Sequence, residues 1–155
     1  MVMNVWMRSE MPSNWDTGTS TPRKCTAIKL KQEKPSTNQV EYHILLDQDK
    51  LLSWIRDKEM FLTACSPLAK GHLAYHPLLQ EIGRKHGKNA TQVALRWLIQ
   101  QNQVATVPKA STHEKRRQNF AIFDFELDQE DLETIARLDK DQRFVDLPGM
   151  APDWD

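Results

Sequence analysis

The side chains best suited to chemistry gather in residues 104–119, Val-Ala-Thr-Val-Pro-Lys-Ala-Ser-Thr-His-Glu-Lys-Arg-Arg-Gln-Asn. A short β-branched run, 104–107, has the composition of a buried strand, and Pro108 ends it because proline cannot donate to a ladder. Ser111, with Glu114 three residues on, has the spacing of a capping box and predicts a helix start. A strand, a tight loop and a helix N-terminus in that order place unpaired amides and the positive end of a helix dipole at one point, which suits an anion. Lys109 precedes the cap, and Lys115, Arg116 and Arg117 fall in the first turns. A phosphate is the simplest occupant. The alternative is a solvated basic face with no ligand, since cations at a helix start oppose the dipole. A nucleic-acid patch is disfavoured, because the 21 Lys+Arg are balanced by 21 Asp+Glu and no wider basic surface is evident.

The 155 residues suffice for one hydrophobic core. A hydrophobic share of 39% against 27% charged is that of an ordinary globular chain. No apolar run reaches the roughly 20 residues of a membrane helix, so no membrane partner is expected. Residues 1–8 lack the marks of a secretory signal. Cys25 and Cys65 are too few for a disulfide framework and have no metal-ligand spacing, so no metal is expected and a reducing cytoplasm is the default.

The elements that must position these groups become legible from Asn38 onward. Residues 1–30 show no clear period, and a lysine-rich stretch, 23–34, could form a short helix that Pro35 ends. Asn38-Gln-Val-Glu-Tyr-His43 reads as a strand with polar side chains, which need partners or ligands if buried. Asp47 opens a helix with Leu51, Leu52 and Ile55 on one face, and residues 61–65 form the next strand. Pro77 starts a helix that Gly87 ends. Asn89 and Gln92 cap another, whose Val93, Ala94, Trp97 and Leu98 are core. After strand 104–107 and its basic helix, Asp128 caps a last helix with Leu132, Ile135 and Leu138 inward. Strands alternating with helices predict an α/β fold with a parallel sheet. Side chains that do chemistry then gather at the strand carboxyl ends, where His43, Ser66 and Lys109 fall.

With those strand ends in view, the chain resembles the second half of an aldo-keto reductase, an NADPH-dependent (β/α)8 barrel that reduces aldehydes and ketones, and is most similar to the bacterial branch that includes 2,5-diketo-gluconate reductases. The stretches that carry the resemblance are Asn38-Gln-Val-Glu-Tyr-His, Leu62-Thr-Ala-Cys-Ser-Pro-Leu-Ala-Lys-Gly, Gln92-Val-Ala-Leu-Arg-Trp-Leu, Val107-Pro-Lys, Asn119-Phe-Ala-Ile-Phe-Asp-Phe-Glu-Leu and Pro152-Asp-Trp-Asp. Ser13-Asn14-Trp15 resembles the family's Ser-Asn-Phe after the fifth strand. The resemblance implies an incomplete (β/α)8 barrel, roughly strands five to eight with their helices. Residues 1–37 would be a poorly defined segment holding its start, 38–140 the half-barrel, and 141–155 an irregular tail.

The resemblance also implies a cofactor site for NADPH. Ser13, Asn14 and Gln39 would hold the nicotinamide carboxamide, and Ser66 and Leu68 would line the pyrophosphate. Lys109 and Ser111, with Lys115, would meet the ribose phosphate, and Gln118 and Asn119 the adenine. This chain departs from the family pattern at four positions. Cys65 stands where an aromatic ring usually stacks on nicotinamide, Ala110 replaces a serine, and Ile44 replaces a proline. Lys115 replaces an arginine and so loses the bidentate fork.

The family's catalytic Asp, Tyr, Lys and His belong to first-half motifs that have no counterpart among these residues, so no catalytic residue is assigned. Tyr42 and Tyr75 lie outside the required motif. His43, His72, His76, His86 and His113 read as structural or solvated, and Cys65 has no identifiable base. A full barrel needs roughly 250 residues. The expectation is therefore a truncated NADPH-dependent reductase, retaining the cofactor half and inactive alone, with a small carbonyl substrate only if a barrel is completed. The alternative is an NADP(H)-binding half-barrel that acts on pairing with another chain, its open sheet edges favouring self-association. An unrelated α/β binding protein would have to match all of these stretches by coincidence.

Overall fold

Three short strands run parallel through the residues that the computed structural model describes, 36–138 and 141–145. β1 (Thr37–Glu41) pairs with β2 (Phe61–Cys65), and β2 with β3 (Val104–Thr106). Because side chains alternate along a strand, the register sorts them into two faces. Asn38, Val40, Leu62, Ala64 and Val104 share one face. There Leu62 and Ala64 pack with Leu51, Leu52 and Ile55 of α1 (Asp49–Asp57) and Leu98 of α3 (Ala90–Ile99). Thr37, Gln39, Glu41, Phe61, Thr63 and Cys65 take the other face, where Thr37 and Phe61 are exposed and Gln39, Thr63 and Cys65 half-buried. One side of the sheet is thus core, and the other is mostly polar and partly open among the described residues, with Glu41 buried at its end.

A second apolar cluster lies in the helical layer. It joins Leu79 and Ile82 of α2 (Pro77–His86), Val93 and Ala94 of α3, and Ile135 of α5 (Gln129–Ala136) to Ala69 and Leu73. Trp97 packs against both clusters and ties them together. The helix ends follow local chemistry. Pro77 occupies the first position of α2, where its missing N–H is not needed. Gly87 closes that helix at φ 65°, a left-handed conformation glycine adopts freely. Asn89 accepts from the Gln92 amide at 2.9 Å while Gln92 Oε1 accepts from the Asn89 amide at 3.0 Å. Asp128 and Asp131 form the same reciprocal cap on α5.

Four expectations need correcting. β1 stops at Glu41, and His43 instead bridges back to Leu46. The first position outside α1 is Gln48. Asp47 acts one residue earlier, its Oδ1 accepting from the Asp49 amide at 2.8 Å. Ser111 does not cap α4 (His113–Phe120). Thr112 does, accepting from the Lys115 amide at 3.2 Å, so the capping box with Glu114 is not formed. The strand after α3 is not buried. β3 is three residues long and half-exposed, because among the described residues it has a neighbour on one side only. The described residues hold a three-stranded parallel sheet where a four-stranded half-barrel was expected, and residues 1–35, with the lysine-rich stretch and Cys25, lie outside them.

Gly83 of α2 is hemmed in by the turn that leads into α3. A β-carbon there would overlap the Lys88 carbonyl oxygen, whose residue also donates its amide to Gly83 O at 2.8 Å. Gly83→Ala should therefore lower stability by about 1–3 kcal/mol in denaturant unfolding, through overpacking rather than backbone strain.

Candidate functional site

Because the three strands are parallel, the segments that leave them emerge from one edge of the sheet. His43, Ser66 and Lys109 all lie in those exits. Gln39, expected against the carboxamide, lies on the open face of β1 in register with Thr63, and Thr37 Oγ1 and Thr63 Oγ1 lie 2.8 Å apart on that face. Ser66 follows directly on β2 at φ 49°, and Leu68 leads into a 3₁₀ segment, Ala69–Tyr75. Ala69 (φ 48°) and Lys70 (φ 51°) are also left-handed. Non-glycine residues in this region cost roughly 1–2 kcal/mol each, so the loop is held by its own bonds. The Ala69 amide donates to Ser66 O and the Gly71 amide to Leu68 O, both at 2.8 Å.

The basic segment leaves β3. Lys109, Ser111 and Lys115 are exposed, and Gln118 and Asn119 of α4 are half-buried. Lys109, Lys115 and Arg116 have no carboxylate partner among the described residues, so three cations and the first amides of α4 stand available to an anion. Two groups are already engaged. Glu114 accepts from Arg117 at 2.9 and 3.0 Å and from Gln118 Nε2 at 2.9 Å, and the Arg117 guanidinium, followed by Gln118, holds its carboxyl below the usual range. Arg117 is thus paired rather than aimed at a ligand, and the Gln118 side chain must exchange Glu114 for an adenine to serve as expected.

No side chain of α4 is buried, so apolar packing does not place it. Polar groups of α3 do. Gln92, Arg96 and Gln100 recur every four residues along one stripe of that helix. Gln92 Nε2 donates to the carbonyls of Gln118 and Ala121 at 3.1 and 3.0 Å. Arg96 reaches Ile122 O at 3.2 Å and Glu126 at 3.1 Å. Gln100 both donates to Leu127 O at 2.8 Å and accepts from its amide at 3.0 Å. Lys88, from the turn before α3, adds Ala121 O at 3.2 Å and Asp124 at 2.7 Å. The carbonyls at and just past the end of α4 are therefore met from other elements, that of Gln118 in addition to the Ala121 amide at 3.1 Å. Sequence reasoning saw the apolar stripe of α3 and missed this one, although polar residues spaced by four in an apolar helix were its signal.

A second unanticipated cluster sits at the exit of β1. The buried carboxylate of Glu41 accepts from the Phe144 amide at 2.8 Å, the Val145 amide at 2.9 Å and His43 Nε2 at 3.1 Å. Both of its oxygens are accepting, so Nε2 is the protonated nitrogen of His43. Burial lowers the His43 pKa from its ordinary 6.5, outweighing the pull of Glu41. Cys65, in register with Glu41, has its thiol pKa raised by burial and then by that carboxylate, which disfavours a nucleophilic thiolate. Tyr42 is buried against Trp97 with its hydroxyl donating to Gln101 Oε1 at 2.7 Å, and burial raises its pKa, so it cannot act as a proton donor to a ligand on the open face. Tyr75 is exposed. Among the described residues no group of three His, Cys, Asp or Glu is placed to hold a metal, and no helix is long and apolar enough to cross a membrane. Ser13, Asn14 and the closing Pro152-Asp-Trp-Asp lie outside the described residues.

Comparison with known proteins gives this geometry a context. The profile of the Aldo/keto reductase family matches residues 16–140. A glyoxal reductase of Bacillus subtilis (strain 168) is 41% identical over 126 residues, covering 81% of this chain and 44% of the relative. An NAD(P)H-dependent D-xylose reductase of Candida tropicalis is 35% identical, covering 79% of this chain and 40% of its own length. A crystal structure assigned to a 2,5-diketo-D-gluconic acid reductase B superposes with a TM-score of 0.72 at 47% identity, over 77% of this chain and 43% of the other. An aldo-keto reductase complexed with NADPH superposes with a TM-score of 0.67 at 33% identity, over 74% of this chain and 38% of the other. The chain spans less than half the length of each of these relatives.

Two outcomes are expected. Gln92→Ala removes one of the two donors from each of the Gln118 and Ala121 carbonyls and should lower stability by about 1–3 kcal/mol, with amide exchange in α4 accelerated more than in α2. Arg117→Ala, at an exposed pair, should leave the unfolding midpoint in place. The second concerns pH. With its folded pKa below the unfolded value, His43 binds a proton in the unfolded chain at a pH where the folded chain refuses it. Stability should therefore fall as pH drops below about 6.5, and His43→Gln should flatten that slope in denaturant unfolding between roughly pH 7.5 and 5.5.

Proposed function

Since the chain belongs to the aldo/keto reductase family, we propose that it contributes the cofactor-holding part of an NADPH-dependent carbonyl reductase built on the family's (β/α)8 barrel. One observation carries this reading: three cations without a carboxylate partner among the described residues, Lys109, Lys115 and Arg116, stand at the start of α4 on the sheet edge from which Ser66 and Leu68 also emerge. Lys109, Ser111 and Lys115 take the ribose phosphate, Ser66 and Leu68 the pyrophosphate, and Gln39, with Ser13 and Asn14, the carboxamide. Gln118 and Asn119 face the adenine, Gln118 after releasing Glu114. At positions 109 and 115 the phosphate meets ammonium groups, without the bidentate fork that an arginine at 115 would supply. The cofactor, when bound, supplies hydride to the carbonyl carbon of an aldehyde or ketone.

The proton for the carbonyl oxygen has to come from outside these residues. Tyr42 is buried with its hydroxyl committed to Gln101, and Tyr75 has none of the family's tyrosine–lysine motif around it. In this reading the present residues bind and orient the cofactor, and a further segment or chain brings the general acid.

A second reading is favoured by the open face of the sheet. Thr37 and Phe61 are exposed there, and the outer edges of β1 and β3 have no neighbour among the described residues. An NADP(H)-binding half-barrel that acts only when a second chain covers that face and those edges accounts for both.

Fluorescence titration of the chain at known oligomeric mass tests the proposal. NADPH should saturate a single site, and Lys109→Ala should weaken it about tenfold or more while changing NADH binding little, since a charge-assisted phosphate contact is lost. Saturable binding indifferent to Lys109 would remove the phosphate site from this segment. Absence of binding from a folded, monodisperse sample would end the cofactor reading.

A further inference from the structure

Glu41 is a buried carboxylate at the carboxyl end of β1, and two of its three donors come from more than a hundred positions away in the chain. Its two oxygens accept from consecutive main-chain amides, Phe144 at 2.8 Å and Val145 at 2.9 Å, with His43 Nε2 at 3.1 Å as the third donor. Among the described residues the side chain has no lysine or arginine partner. Burying a carboxylate in this way is unfavourable unless each oxygen is satisfied, and an apolar side chain would cover the strand end as well. What the carboxylate adds is a fixed register for the segment that meets it. Gln142 donates its amide to Leu45 O at 2.8 Å, and Asp141 bridges Leu46, so residues 141–145 lie as a strap across the β1 exit.

The strap also touches the neighbouring exit. The Phe144 ring stacks on His72 with centroids 4.5 Å apart and planes 24° apart, and lies 5.6 Å from the His43 ring. His72 belongs to the 3₁₀ segment after β2, next to Lys70 and Gly71, both at positive φ. A loop that stores backbone strain keeps its shape only where its surroundings hold it.

We propose that Glu41 is a positioning residue: by latching residues 141–145 it seats Phe144 on His72 and so braces the strained 66–75 loop in the conformation that receives the cofactor's pyrophosphate. The role in cofactor binding rests on the function proposed above, whereas the bracing itself does not.

Amide hydrogen exchange on the full chain, with and without NADPH, separates the two. Glu41→Gln keeps the side-chain shape but turns an NH₂ group toward one of the donors. It should speed exchange at Phe144 and Val145 and throughout residues 66–75 by about tenfold, and weaken NADPH binding. Phe144→Leu leaves the latch in place and removes the stack. It should speed exchange in residues 66–75 alone, and it carries the test if Glu41→Gln does not fold. Unchanged exchange in residues 66–75 in Phe144→Leu overturns the proposal and reduces the strap to a cover. Faster loop exchange in a chain that binds no NADPH upholds the brace while the cofactor reading fails. Faster loop exchange with undiminished NADPH affinity overturns the role in binding.

Discussion

Helix α3 is buried along most of its length, so each of its polar side chains must find a partner inside the protein. Ala90, Val93, Ala94, Leu95 and Leu98 meet this constraint by being apolar, with Ala90, Val93 and Ala94 in one hydrophobic cluster and Leu98 in the other. Gln92 and Arg96 are equally enclosed, and a buried amide or guanidinium without partners would be strongly unfavourable. Their partners are the carbonyls at the end of α4 and in the loop beyond it. One helix thus presses the sheet and α2 together through its apolar side while its polar side fixes a helix that has no core of its own.

That division explains why the two parts of the candidate site differ in mechanical character. The exit of β2 is held by apolar burial of Ala69 and Leu73 together with short local hydrogen bonds, and it stores left-handed backbone at Ser66, Ala69 and Lys70. The exit of β3 is unstrained and suspended, with α4 carried by directional bonds to its main chain. Hydrogen bonds are sensitive to geometry, so they fix the direction of α4 without specifying its outer side chains. A ligand spanning both exits meets one surface set by strain and another set by suspension.

Much of this was legible in the residues. Pro77, Gly87 and the Asn89–Gln92 pair mark helix ends because their chemistry is local, and they behave as local chemistry dictates. The strand at Phe61–Cys65 was legible for the same reason, as was the emergence of Ser66 and Lys109 on one edge, which follows from parallel strands. The misreadings come where a distant partner decides. Ser111 and Thr112 are equally plausible caps in sequence, and the path of the chain out of β3 selects Thr112. The run 104–107 is apolar enough to be buried, yet its exposure depends on what lies on its other side. Glu41 looked like one more polar residue on a strand. Nothing near it in sequence announces that its donors are the amides of Phe144 and Val145, because backbone groups carry no sequence signature.

The absence of any buried side chain in α4 has a consequence for how this protein can change. Substitutions on that helix, outside the half-buried Gln118 and Asn119, remove little packed volume, and its anchors are main-chain carbonyls, which every residue type provides. Mutational drift in residues 113–120 is therefore largely uncoupled from folding, so in the proposed role the charge and shape that α4 would offer a dinucleotide can be rewritten in small steps. The core side of α3 has no such freedom. If the proposed function holds, selection for a different nicotinamide cofactor would find its raw material in α4, with the rest of the molecule left as it stands.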